Sequence, residues 1–154
     1  MERTAVYAGS FCPFTKGHED IVRQALPLFD RIIIAIGHNP DKKDLFDESE
    51  RQAWIKEIYK DNPKVHVIPY TGLTVELCRC HGAKHLIRGI RNAKDFVAEQ
   101  ELAEANKCLA PEIDTVFFLS SPEWRMVSSS MVRELWRFGA DYSPFVSYKL
   151  PEHP

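Results

Sequence analysis

The sequence predicts a doubly wound α/β domain, a five-stranded parallel sheet with helices on both faces. Three observations carry that prediction. Short strand-like runs alternate with helical patterns five times along 154 residues, as in successive β-α-β crossovers. One run, RIIIAIG at 31–37, is apolar almost throughout, the mark of a strand buried on both faces. The stretch YAGSFCPFTKGH at 7–18 leads a short apolar strand through glycine and a proline turn into a helix. The start of such a helix leaves N–H groups unpaired and attracts anions, and Gly9 and Gly17 allow close approach.

The first strand spans 4–8, and Thr15 is placed to cap the helix after it. Ile21, Val22, Ala25, Leu26 and Phe29 recur on one face of that helix, and Pro27 kinks it or marks its closing turn. After the second strand at 31–37 comes a loop at 38–46 with Lys42 and Lys43. Asp47 and Glu50 are spaced as a capping box for a helix that turns Ala53, Trp54, Ile58 and Tyr59 inward. The third strand is 65–68. A helix from 71 or 72 to 80 ends at Gly82, a left-handed cap position. The fourth strand, 85–87, delivers Arg88-Gly89-Ile90-Arg91 at its carboxyl end. The helix at 93–109 is expected to bury Phe96, Leu102, Ala105 and Leu109, with Pro111 beyond it. A fifth strand at 115–119 and a loop at 120–127 lead to Ser128-Ser129-Ser130, which cap a helix through 138 stopped by Gly139. The proline-rich tail from 140 has no clear element.

This length suits one domain, 1–154, which buries roughly two thirds of its unfolded surface. A net charge of −2 carries no whole-chain signal for nucleic acid or membrane. No run reaches membrane-spanning length and the N-terminus lacks a signal-peptide pattern, so a cytoplasmic setting is expected, with the 4 cysteines reduced. Cys78, Cys80, His81 and His85 suggest zinc at first sight, but helical residues two apart point in nearly opposite directions. In doubly wound folds ligands lie beyond the carboxyl ends of the strands, where strand order reverses. His18, Lys42, Arg88 with Arg91, and the triple serine all follow strand ends, so four polar clusters meet on one edge.

GSFCPFTKGH, NPDKK, LIRGIRNAKDF and EWRMVSSSMVRE, in this order and spacing, resemble the phosphopantetheine adenylyltransferase family over nearly the whole chain to about residue 140. The (H/T)xGH signature alone marks the wider nucleotidylyltransferase superfamily, with its Rossmann-like fold. The resemblance implies transfer of AMP from ATP to 4′-phosphopantetheine, giving dephospho-CoA and pyrophosphate, with Mg2+ as cofactor, CoA as an inhibitor and a homohexamer as the assembly. It implies no nucleic-acid or membrane partner. His18, Lys42 and Arg91 would be catalytic. Ser10, Phe11, His18, Gly89, Ile90, Arg91 and Glu99, with Trp124, Arg125, Met126, Val127, Ser128, Ser129 and Ser130, would bind ATP. Ser10, Lys42, Thr74 and Arg88 would bind the acceptor, and no protein side chain is assigned as a metal ligand. The nucleophile would be a phosphate already ionised near neutral pH, so no general base is needed.

The chain departs from the family at three places. Ser10 stands where Thr is common and keeps the hydroxyl. Cys12 replaces a usual Asp, removing a carboxylate that helps order the loop or the metal shell. Ala98 replaces an aromatic beside the pantetheine arm, which is expected to widen that pocket. Two other readings stay open: a sibling transferase with another nucleotide or acceptor, and a non-catalytic nucleotide or CoA sensor.

Overall fold

Ile32, Ile33, Ile34 and Ile36 are wholly excluded from solvent in the computed structural model, which describes residues 1–41 and 43–153. Burying each such side chain contributes about 1.5–3 kcal/mol, so this run anchors the fold. Among the described residues, five strands alternate with five α-helices: β1 (Thr4–Gly9), α1 (Lys16–Ala25), β2 (Arg31–Gly37), α2 (Glu48–Ile58), β3 (Val65–Tyr70), α3 (Thr74–Cys80), β4 (His85–Ile90), α4 (Ala93–Leu109), β5 (Asp114–Leu119) and α5 (Ser129–Arg137). All strand pairs are parallel and the order is β3-β2-β1-β4-β5. One face of the sheet packs on Ile21, Val22 and Ala25 of α1 and Ile55 of α2. The other packs on Val75 and Cys78 of α3, with Ala110 and Ile113.

Strand order reverses between β1 and β4, and there the sheet splits. The two strands pair from Ala5↔His85 to Tyr7↔Ile87. Beyond that point Ala8 and Gly9 pair with β2, while Arg88, Gly89 and Ile90 pair with β5. The partnership with β5 explains why β4 runs past the expected end at 87. Arg88 reaches across the opening, its Nη1 donating to Ala8 O at 2.9 Å.

Other boundaries shift for local reasons. β3 extends to Tyr70 because it is an edge strand, where Pro69 needs no ladder donor. α1 ends at Ala25 with Leu26 as its cap, so Pro27 falls just outside the helix. The expected capping box at α2 is one-sided, Asp47 accepting from Glu48 N. A reciprocal box forms instead at α1, between Thr15 and His18.

Two expectations about burial are overturned. Ala53 of α2 is exposed, and the inward face is built by Arg51 and Ile55. No residue of α4 is buried: Phe96, Leu102 and Leu109 are 44%, 44% and 53% exposed, and Ala105 is exposed as well. The tail is ordered against the rest of the chain. Val146 and Leu150 are buried with Cys12, Phe46, Val132 and Trp136 in a third apolar cluster.

Candidate active site

The split between β1 and β4 opens into a cavity of about 350 Å³. Its floor is the carboxyl end of β1 (Tyr7, Ala8, Gly9) and the Ser10-Phe11 turn, and one wall is Gly17, His18 and Ile21 of α1. Arg88, Gly89 and Arg91 line another side, and Ser120 with Val127, Ser128, Ser129 and Ser130 closes the rim. Two helix starts, those of α1 and α5, therefore face one space with two guanidinium groups, an arrangement that favours anions. A Cβ at Gly17 would lie 3.3 Å from Thr15 Oγ1, close enough to crowd the hydroxyl that caps α1, and in ordinary contact with Val127 O of the serine loop at 3.6 Å.

His18 is held by the backbone that leads into its own helix. Thr15 N donates to His18 Nδ1 at 2.8 Å, and His18 N donates back to Thr15 Oγ1 at 3.4 Å. A backbone N–H can only donate, so Nδ1 is unprotonated and the imidazole carries its proton on Nε2. The ring lies against Phe14, centroids 5.2 Å apart and 22° from parallel, with the Phe11 ring edge-on at 5.1 Å. Phe11 holds its place at φ 46, in the left-handed region that side chains seldom occupy, next to a cis Cys12–Pro13 peptide.

Desolvation, followed by the positive charges of Arg91 and Arg88, lowers the His18 pKa from 6.5 to about 3. The imidazole is therefore neutral at working pH and is a donor through Nε2. An NMR titration of its ring should show no midpoint between about pH 5 and 8. The sign for stability follows. The unfolded imidazole takes its proton near 6.5 and the folded one only near 3, so this contribution is complete above 6.5 and is lost as pH falls through that window. An imidazole titrating near 6.5 in the folded protein would contradict the neutral assignment of this half-buried ring.

Arg88 is fixed by Glu99, Nε to Oε2 and Nη2 to Oε1 both at 2.7 Å. Burial alone would lower its pKa, but the hydrogen bonds and charge of Glu99 outweigh it and raise it. With the bond to Ala8, three of the five N–H groups of a guanidinium are used among the described residues, leaving two for an anion. Arg91 is held in the same way by Asp95, Nε to Oδ2 at 3.1 Å. The serine loop is tied to α1 by Asp20, 4% exposed, which accepts from Ser121 N at 2.9 Å and Ser121 Oγ at 2.8 Å. The loop is tied to the Ser10 turn as well, Ser129 Oγ donating to Pro13 O at 2.8 Å.

The structure thus brings Ser10, Phe11, His18, Arg88, Gly89, Arg91 and residues 127–130 to one cavity. Ile90 ends β4 beside it. Glu99 is engaged with Arg88, and Thr74 opens α3 outside the lining. Trp124, Arg125 and Met126 lie outside it too, Trp124 with Lys16 Nζ 5.8 Å over its ring. Lys42 lies outside the described residues. Cys12 turns away from the cavity into the apolar cluster under the tail, and its carbonyl accepts from Arg133 Nη1 at 2.7 Å. Cys78 is buried and Cys80 exposed, as their spacing on α3 dictates. Tyr7, Asp20, Arg51 and Asp95 were not singled out from sequence. Asp95 alone had a local signal, four residues after Arg91 across a helix start.

Comparison with known proteins agrees with this geometry. The cytidylyltransferase-like family model matches residues 6–135. The chain is 47% identical over 144 residues to phosphopantetheine adenylyltransferase of Flavobacterium psychrophilum, covering 94% of this chain and 95% of that one. It is 48% identical over 142 residues to the Porphyromonas gingivalis protein of the same name, covering 92% of each. Among solved structures, a bifunctional NMN adenylyltransferase/ADP ribose pyrophosphatase from Francisella tularensis superposes with a TM-score of 0.72 at 19% identity. That match covers 98% of this chain and 46% of the two-activity protein, and it shows the fold alone. With its β1–β4 cavity, its TKGH helix start and these full-length relatives, the chain belongs to the phosphopantetheine adenylyltransferase family of cytidylyltransferase-like nucleotidyltransferases.

Proposed function

We propose that this enzyme transfers the adenylyl group of ATP to 4′-phosphopantetheine, giving dephospho-CoA and pyrophosphate, in coenzyme A biosynthesis. The observation that carries the mechanism is the protonation of His18: Nδ1 is occupied by a backbone donor, so Nε2–H faces the cavity as a neutral donor. In this reading an oxygen of the acceptor's phosphate attacks the α-phosphorus, the new P–O bond forms, and the α–β bridging bond breaks in line to release pyrophosphate. The acceptor is ionised already, so no residue removes a proton. Positioning and charge neutralisation remain for the protein.

His18 would donate to the α-phosphate. Arg88, held by Glu99, would grip the acceptor phosphate, and Arg91 and the α5 start would take the leaving phosphates. Ser10 and Lys42 would bridge acceptor and nucleotide. Mg2+ belongs to this reading as the companion of the nucleotide. Among the described residues no group of three or more His, Cys, Asp or Glu could hold a metal, and the cavity lining contains no carboxylate. The triphosphate and water would then supply its oxygens, where it would neutralise phosphate charge.

Phe96, Val97 and Leu102 of α4 are exposed, apolar surface that association of copies would cover, and the homohexamer expected from the family is the assembly this reading includes. Among the described residues no helix is long and apolar enough to cross a membrane; the cytoplasmic setting belongs to this reading through the biosynthetic role proposed. CoA, which shares the pantetheine arm of the acceptor, is expected to compete for the same site. The deciding assay incubates the purified protein with ATP, Mg2+ and 4′-phosphopantetheine and follows pyrophosphate. Release that depends on the acceptor is expected, and release only with a different phosphorylated acceptor would move the assignment to a sibling transferase.

A further inference from the structure

The donor that sets the His18 tautomer belongs to the peptide between Phe14 and Thr15, whose N–H lies 2.8 Å from Nδ1. The oxygen of that same peptide, Phe14 O, accepts from the hydroxyl of Tyr148 in the C-terminal tail. A peptide is a rigid plane with its trans C=O and N–H pointing in opposite directions. A group that fixes the oxygen therefore fixes the direction of the N–H. We propose that Tyr148 is a positioning residue for the reaction, holding the Phe14–Thr15 peptide plane and, through it, the tautomer and aim of the His18 imidazole. This rests on the reading of His18 as the α-phosphate donor.

The tail around Tyr148 is anchored independently of its hydroxyl. The phenol ring stacks on Trp54 of α2, centroids 4.8 Å apart and 14° from parallel. Trp136 Nε1 donates to Pro151 O at 2.7 Å, and Leu150 is buried. Ser147 Oγ donates to Glu19 Oε2 at 2.5 Å, on the residue that follows His18. Desolvation, then the nearby Glu19 charge, raises the phenol's pKa, so the group remains a donor wherever the enzyme works. The bonds from Tyr148 to the peptide to the imidazole run donor to acceptor in one direction, so each polarises the next and strengthens the Nε2–H that faces the cavity.

Tyr148→Phe in the full chain removes the hydroxyl and keeps the stacked ring. The expected result is a fall in kcat of about five- to tenfold with KM for ATP little changed. In a His18→Ala background the same substitution should change kcat by less than about twofold, because its effect passes through the imidazole. 15N NMR of the imidazole without nucleotide should show a fixed Nε2–H tautomer in the parent, and ring shifts moving toward a tautomer average in Tyr148→Phe. Unchanged 15N shifts, or an equal loss of kcat with and without His18, would overturn the proposal. Near-normal turnover of His18→Ala alone would instead remove the donor reading, while the 15N comparison would still decide whether Tyr148 sets the tautomer.

Discussion

His18→Ala is expected to lower kcat about 100- to 1,000-fold while KM for ATP changes much less, the pattern for a donor whose bond strengthens as charge develops at the α-phosphate. The size follows from the setting. Nε2–H faces a cavity bordered by Arg88 and Arg91, and the ring is clamped by Thr15 N, Phe14 and Phe11, so no reorganisation is needed when the phosphate arrives. Asparagine at this position distinguishes donor from base. Its amide still donates but has no basic nitrogen, so His18→Asn should recover part of the loss if donation is the role. Steady-state kinetics of both variants on ATP and 4′-phosphopantetheine decide it. A loss of activity equal in the two, with a pH profile that shifts with the side chain, would point to proton transfer instead. In the parent enzyme the acid limb of kcat/KM should track the acceptor's phosphate, near pH 6, since His18 itself is held neutral down to about 3.

The carboxyl edge that carries this chemistry was legible in the sequence because strand ends are local signals. A β-branched run such as RIIIAIG fixes a strand, alternation fixes the crossovers, and whatever follows each strand must stand on one side of the sheet. Side-chain destinations were not legible in the same way. Arg88 crosses the split to Ala8 O because β1 and β4 stop pairing after Tyr7 and Ile87, a fact of register that no stretch of ten residues contains. Glu99, expected from the family resemblance as a nucleotide contact, is also the carboxylate that aims Arg88, a pairing across eleven residues that the sequence does not announce. On α4 the apolar residues Phe96, Leu102 and Leu109 read as a core face, but they do not share one side of the helix and none is buried. Cys12 was the least explained residue of the junction. Its neighbours come from the tail, whose lack of periodicity hid that Val146 and Leu150 pack there, and a carboxylate at 12 would meet that apolar cluster.

Arg51 was hidden for a related reason, since an arginine on a helix reads as a solvated cation, and replacing it should have the largest effect on stability. Its side chain is 1% exposed. Nε donates to Phe46 O at 3.0 Å, Nη2 pairs with Asp44 Oδ2 at 2.9 Å, and Nη1 donates to Ser10 O. One guanidinium thus ties α2 to the loop before it and to the turn that carries Ser10. Arg51→Met fills much of the volume but leaves two main-chain carbonyls and a carboxylate without this donor. Removing one partner of a buried ion pair costs about 3–5 kcal/mol. Asp44 is 18% exposed, so water recovers part of that, and a loss of about 3 kcal/mol is expected, a fall of about 10 °C in Tm. Arg51→Lys keeps the charge near Asp44 but not the fork that reaches both carbonyls, so it should fall between the two. Denaturant unfolding of the three proteins measures the differences, and a Met variant within about 1 kcal/mol of the parent would mean that water satisfies the three acceptors in place of the guanidinium. Because Ser10 sits at the other end of this contact, the folded Met variant should also show a lower kcat, and comparing it with the Lys variant separates the loop's position from the stability of the whole domain.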